Sequence, residues 1–359
     1  MLNRHSVSVV IPHFNGSRWI QRALNSAYSQ TTLPDEVIVV DDGSDSTEIE
    51  FLKELGLRYD FKLLFQSNKG QSSARNLGVA ESNSEFVCLL DQDDYFLPGH
   101  IESLLNIVDS SDPKFSFSYG DLHRVSESGE ILSVSCVNVK NQHPLRDITV
   151  MLRDNMYILP SATLIRKKAF LAVGGFDETL RGYEDDDLFV RFFTAGFTNS
   201  FTPAPVSAWT VNPESTSYSE AMSRSRYLYF QKLFKTFVLE SDKRLIGPEK
   251  VFTDLLYPRF SVNFANDVAS SSLSGGWHFA ERVERLKIFR GLVRGDKPMN
   301  PIEKHFYLIG TWPLVALGPK TQALLLRLLL SVLKRVGTFN VRVLREFVRI
   351  NSVHKKSVD

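Results

Sequence analysis

The first hundred residues alternate short β-rich runs with helical patterns, and the β-rich runs at 7–11, 36–40 and 85–90 are each followed by a polar cluster. Val7-Ser8-Val9-Val10-Ile11 is closed by Pro12 and reads as a strand buried on both faces. Glu36 to Val40 stops at Asp41-Asp42-Gly43-Ser44, and Glu85 to Leu90 stops at Asp91-Gln92-Asp93-Asp94. Between these runs, Ser17 is placed to cap a helix with Trp19, Ile20, Ala23, Leu24 and Ala27 on one face. Ser46 to Leu55 and Ser72 to Ala80 read as further helices, and Phe61 to Phe65 as a strand. Such repetition predicts a mainly parallel sheet with helices on both faces. Ligands of such sheets bind beyond the carboxyl ends of the strands. The clusters at 12–15, 41–45 and 91–94 are therefore expected around one crevice.

Beyond this run, Phe115 to Tyr119 reads as a strand and Ser126 to Gly129 as a hairpin turn. Leu159 to Ile165 is expected as a strand, Lys167 to Val173 as a short helix, and Glu184 to Ala195 as an amphipathic helix. After Ser217 the pattern becomes helical and basic. Residues 1–219 carry 18 Lys and Arg against 29 Asp and Glu, whereas residues 220–359 carry 24 against 12. Together with the length of 359 residues, this split predicts two domains, 1–219 and 220–359, with different tasks.

With 43% hydrophobic and 23% charged residues, the composition excludes a wholly disordered, collagen-like or polytopic membrane chain. Two cysteines, Cys88 and Cys136, make no framework and read as reduced thiols of a cytoplasmic protein. The first apolar run is too short for a signal-peptide core. The stretch from His305 to Leu317 comes nearest to a membrane span, but Pro313 interrupts it and it falls short of the required ~20 apolar residues.

Four constellations carry chemistry. Asp91 and Asp93 follow a buried strand at a spacing that lets both reach one hard cation and its waters, or merely forms a polar turn. Asp41-Asp42-Gly43-Ser44 is ordinary turn chemistry, or a carboxylate placed to accept from a nucleobase or a ribose. Glu184-Asp185-Asp186-Asp187 complements a helix dipole, yet four acids exceed that need, and their repulsion would raise the pKa of at least one. Gly70 to Gly78 opens a helix whose N-terminus and Arg75 suit a phosphate, unless Arg75 is simply a surface residue. Neither a dinucleotide Gly-x-Gly-x-x-Gly nor a Walker-type loop is present.

Taken in order, these segments resemble the inverting family 2 glycosyltransferases with a GT-A fold, of bacterial surface-polysaccharide type. The resemblance runs from Val9-Val-Ile-Pro12-His-Phe14-Asn15 through Val39-Val-Asp-Asp42-Gly-Ser44, Gly70 to Gly78 and Leu90 to Asp94. It ends with Gly174-Gly-Phe-Asp177-Glu178 and Glu184-Asp185-Asp-Asp187-Leu188, covering about residues 6–219. It implies an α/β, Rossmann-like catalytic domain followed by a C-terminal helical region. It also implies roles. Pro12 and Phe14 would lie against the uracil, with Asp42 accepting the imide N–H, and Asn15 and Gln92 would also bind the nucleotide-sugar. Arg75 and Asn76 would help hold the nucleotide side, Asp91 would sit near the ribose and metal-bound water, and Gly175 and Asp177 beside the donor sugar. Asp93 would ligate Mn²⁺ or Mg²⁺. Asp185 would be the base, with Glu184 positioning the acceptor. The family often carries Tyr-Arg-x-His near Trp209, where this chain has Thr210 and Asn212, so Asn212 offers a carbonyl oxygen to the metal in place of an imidazole.

The expected activity is a metal-dependent inverting transfer from a UDP-sugar to a hydroxyl of a glycan or lipid-linked acceptor, in cell-surface polysaccharide assembly. The alternatives are a catalytically weak GT-A scaffold that binds partners, and a nucleotidyltransferase, against which the late Asp185 helix argues. Residues 324–333 and 339–350 combine wide apolar faces with Arg and Lys. They suit an anionic membrane surface at the inner face of the cell membrane, or packing against the catalytic domain or a second subunit. Nucleic acid ranks last among partners, because no recognition motif accompanies the charge.

Overall fold

The structure, a computed structural model, describes residues 5–138, 142–212, 220–240, 250–273 and 278–326. These divide into two compact units, one built mainly from the chain up to Ser225 and one from Arg226 onward.

The first unit opens with the predicted alternation: β1 Val7–His13, α1 Ser17–Tyr28, β2 Glu36–Asp41, α2 Ser46–Leu55, β3 Lys62–Phe65, α3 Gln71–Glu81 and β4 Phe86–Leu89. β1 is buried at every position, as its continuous apolar run requires. It pairs in parallel with β2 on one side and β4 on the other, and β3 joins beyond β2. In α1, Ile20, Ala23, Leu24 and Ala27 are buried as their spacing predicts, with Trp19 half-buried. The N-cap, however, is Gly16, and its side chain has nothing to donate or accept. Ser17 instead donates both its N–H and its hydroxyl to Glu48, tying α1 to α2. α3 lies so close to β1 that a Cβ on Gly78 would stand 2.3 Å from Val10 Cγ1. A side chain there would force the helix off the sheet.

The rest of the unit comprises β5 Tyr95–Phe96, α4 His100–Leu105, β6 Phe115–Val125, β7 Ile131–Ser133, α5 Ile148–Arg153, β8 Thr163–Arg166, α6 Lys167–Ala172, α7 Glu184–Thr194 and β9 Thr198–Thr210. The strands form one sheet in the order β3-β2-β1-β4-β8-β6-β9-β5, with β7 off β6. β8 runs antiparallel to β4 and β6, and β6 pairs in parallel with β9. The expected strand at 159–165 is shorter, because residues 160–162 form a 3₁₀ turn. β6 extends well past the expected Tyr119, and β9 was not anticipated at all. With Pro203 and Pro205 inside it and polar residues such as Thr198, Asn199 and Ser200 at its start, β9 lacks both the alternation and the apolar run that mark a strand.

The second unit is helical. α8 Glu220–Phe234 begins in the first unit and passes through a π-turn at Lys235–Leu239. A second π-turn at Val251–Leu256 leads into α9 Tyr257–Leu273, followed by α10 Phe279–Gly295, α11 Pro301–Gly310 and α12 Trp312–Ala316. Its core is aromatic: Phe230 packs against Phe260, Phe264 and Phe289 at 5.2–5.5 Å between ring centroids. Of the apolar face expected from Leu324 to Leu333, the described residues reach only Leu326, and 339–350 lies outside them. Among the described residues, no helix is long and apolar enough to cross a membrane.

Candidate active site

The carboxyl ends of β1, β2 and β4 carry the three polar clusters into neighbouring positions. At the end of β1, Phe14 is exposed while Pro12 is buried within the strand. The Phe14 N–H donates to Gln92 Oε1 at 3.0 Å, and Gln92 Nε2 donates back to the Phe14 carbonyl at 3.2 Å. Gln92 therefore fastens the turn after β4 to the loop after β1. Asn15 takes a positive φ of 43°, its N–H donating to Ser44 Oγ and its Oδ1 accepting from Asp45 N. Those bonds join the first and second clusters.

Asp42 is buried and already accepts three hydrogen bonds, each of 2.7 Å, from Gln66 Nε2, Lys69 N and Gly70 N. A carboxylate has about four acceptor positions, so about one remains. Its neighbour Asp41 folds the turn by accepting from the N–H groups of Gly43 and Ser44.

Arg75 is the structural centre of the site. Its side chain is only 2% exposed, with Nη2 donating to Asp91 Oδ1 at 2.5 Å and Nη1 to Glu184 Oε1 at 3.0 Å. Burial alone would depress the guanidinium, but the two carboxylates outweigh it and hold the group charged. Rather than facing a phosphate, Arg75 links the turn after β4 to the first residue of α7. Gln71 Nε2 adds a second donor to Asp91 Oδ1 at 2.7 Å.

On that first turn of α7, burial pushes the Asp185 carboxyl well above the usual carboxylate range, and the like charges of Glu184 and Asp186 add to it. Tyr183, which precedes the helix, adopts a left-handed conformation with φ 62°. Asn76 clamps the loop before α7. Its Oδ1 accepts from Phe176 N at 2.8 Å, and its Nδ2 donates to Phe176 O and Glu178 Oε1. Gly175 sits against the same Oδ1 at φ 66°, where a Cβ would come within 2.7 Å. Asp177 closes its own turn by accepting from Thr179 N and Oγ1.

Burial, followed by the neighbouring Asp91 carboxylate, pushes Asp93 up to about 6, while a hydrogen bond from Asn212 and the charge of Arg22 pull the other way. Among the described residues, no group of three His, Cys, Asp or Glu side chains is arranged to hold a metal. The oxygen donors near Asp93 are instead its own carboxylate and that of Asp91, with the Asn212 side chain donating a hydrogen bond to it. Such a hard set, carrying an uncomfortable negative charge, fits Mg²⁺ or Mn²⁺ rather than a soft metal.

Three further residues hold the site together. Arg22 of α1 donates to the Asp93 carbonyl at 2.7 Å and to Thr210 Oγ1 at 2.8 Å, so a cation absent from position 210 at the end of β9 arrives there from a helix. Asp94 is buried and accepts from Thr210 N at 2.9 Å, fixing the end of β9 against the turn. Ser161 Oγ accepts from Asp91 N at 3.3 Å. Only Asp94 had a signal, as the third acid of its cluster. Arg22 and Ser161 are common residues whose role arises from distant pairing.

An open α/β sheet thus gathers carboxylates at its strand ends, with one carboxyl held on the first turn of α7. Residues 8–131 match the family described as glycosyl transferase family 2, so this stretch is similar to that family, and the first unit has the GT-A fold. A Rickettsia bellii (strain RML369-C) protein described as an uncharacterized glycosyltransferase is 32% identical over 200 residues, covering 52% of this chain and 27% of that protein. Across five Rickettsia relatives the match spans only 27% to 58% of their length. S. aureus TarS 1–349 in complex with UDP-GlcNAc shares the fold with a TM-score of 0.64 at 18% identity, covering 90% of this chain and 91% of that one. The mannosyltransferase PcManGT from Pyrobaculum calidifontis, in complex with GDP-Man and Mn²⁺, follows at 0.52 and 16%, covering 90% and 84%.

Proposed function

We propose that this chain transfers a sugar from a UDP-sugar to a hydroxyl of a glycan or lipid-linked glycan, with inversion, in cell-surface polysaccharide assembly at the inner face of the membrane. The observation that carries this reading is the Arg75 bridge, which holds the Asp91–Asp93 turn and the Asp185 helix as parts of one site. Donor recognition falls to the loop after β1 and the end of β2. Exposed Phe14 offers a face to the nucleobase, and Asp42 has about one acceptor position left for an imide N–H.

Asp93 with Asn212, and Asp91 beside them, would hold Mn²⁺ or Mg²⁺, which when bound offsets the negative charge of the diphosphate. The acceptor oxygen attacks the anomeric carbon opposite the diphosphate. The bond from that carbon to the diphosphate oxygen breaks, and its electron pair leaves with the nucleotide. Asp185 takes the hydroxyl proton as the new bond forms, its raised pKa making it a stronger base than an ordinary carboxylate. Glu184, held by Arg75, orients the acceptor beside it. A single displacement asks for no protein nucleophile.

Calorimetric titration with UDP, in Mn²⁺ and then in EDTA, tests the donor site. Binding that needs the metal and disappears in Asp93→Ala is the expected result. Absence of UDP binding in every condition would overturn the donor assignment, and turnover that survives loss of both Asp93 and Asp185 would overturn the mechanism.

A further inference from the structure

α11 buries none of its residues, although it belongs to a helical unit with a dense aromatic core. Ile302, Phe306 and Ile309 stand at i, i+4 and i+7, on one face, and are 67%, 72% and 57% exposed. Trp312, at the start of α12, is also 57% exposed. The helix is anchored by its other side. The Tyr307 ring meets Tyr257 and Phe289, and its hydroxyl donates to Ser261 O at 3.3 Å. Arg290 donates to Leu308 O at 2.7 Å and to the buried Thr311 hydroxyl. The apolar stripe is thus turned outward by the packing that secures the helix.

Scattered exposed apolar residues are unremarkable, but an ordered aliphatic and aromatic stripe marks an interaction surface. Charge decides the partner. The described residues of this unit from Arg226 onward carry 13 Lys and Arg against 7 Asp and Glu. Arg294, Lys297 and Lys320 are exposed in the segments flanking α11 and α12. The 33 residues that continue from Leu326 add eight Lys and Arg against two Asp and Glu. An interface with a second copy of the same basic surface would bring like charges together, whereas anionic headgroups complement them.

We infer that α11 and the start of α12 form a membrane-docking face, in which Ile302, Phe306, Ile309 and Trp312 enter the headgroup boundary of an anionic bilayer. The inference does not depend on the transfer reaction, since its residues lie in the second unit and its readout is binding.

The test is co-sedimentation of the full chain with phosphatidylcholine vesicles, with and without phosphatidylglycerol, for the native protein and Phe306→Ser/Ile309→Ser. These positions are exposed, so both proteins fold, which circular dichroism and an unchanged UDP titration verify. Binding should require the anionic lipid and weaken by about tenfold or more in the double variant, because two apolar anchors are removed. Lack of vesicle binding by the native chain overturns the inference. So does undiminished binding by the variant, which would assign the contact to basic residues elsewhere. A concentration-dependent dimer in sedimentation velocity, lost in the variant and unaffected by vesicles, would make the stripe a contact between copies instead.

Discussion

Asp185 shows most directly how position sets chemistry at the scale of one residue. Its carboxyl is held above the ordinary range by burial and by Glu184 and Asp186, so a folded chain keeps a proton that an unfolded one has released. Stability is therefore complete below the ordinary carboxylate pKa and declines as pH rises through the raised one. Asp185→Asn removes the charge, so its melting temperature at neutral pH should lie above that of the native protein. Transfer should fall by about 10²–10⁴-fold with UDP affinity unchanged, as loss of a general base predicts. A residue with only a structural role would lose stability and activity together. Glu184→Gln provides the complementary check, because removing the like charge lowers the Asp185 pKa. The rising acidic limb of the rate–pH profile should move to lower pH, and a limb that stays in place would assign the titration to another group.

At the scale of elements, Arg75 joins α3 to the turn after β4 and to α7. Arg75→Ala leaves Asp91 and Glu184 without their shared cation in a partly buried site, a change that costs about 3–5 kcal/mol. Arg75→Lys restores charge but cannot reach both carboxylates with a planar fork, so it should recover stability more fully than kcat. Denaturant unfolding and steady-state kinetics on the two variants separate these effects. Equal loss in both assays for Arg75→Lys would mean that the link serves folding alone. The helix periodicity of α1 and the buried run of β1 were legible in the sequence because each needs only local spacing. So were the acidic clusters at the ends of β2 and β4, each placed directly after its strand. The partners of Arg75 were not, since Glu184 lies 109 residues away and only the fold brings it near. β9 was missed for a related reason: its pairing with β6 sustains a sequence with little strand character of its own. Arg22 belongs to the same class, a surface-type residue given a role by Thr210 at the far end of the unit.

For the whole molecule, the described residues divide into units with separate cores, a mixed β-sheet in one and an aromatic helix cluster in the other. Every residue assigned to donor, metal or base lies at or before Asn212, inside the first unit. A ligand that binds there stabilises only the structure whose unfolding destroys the site. UDP with Mn²⁺ at about a hundred times its dissociation constant contributes about 2.7 kcal/mol to that unit. For a unit of this size, each kcal/mol raises the midpoint by about 2–4 °C. Scanning calorimetry should therefore resolve two transitions, one moving upward by roughly 5–10 °C with UDP and Mn²⁺ and the other fixed. EDTA should return the first to its original position. If both transitions shift together, the two units unfold as one cooperative body and the aromatic core of the second contributes directly to the stability of the donor site.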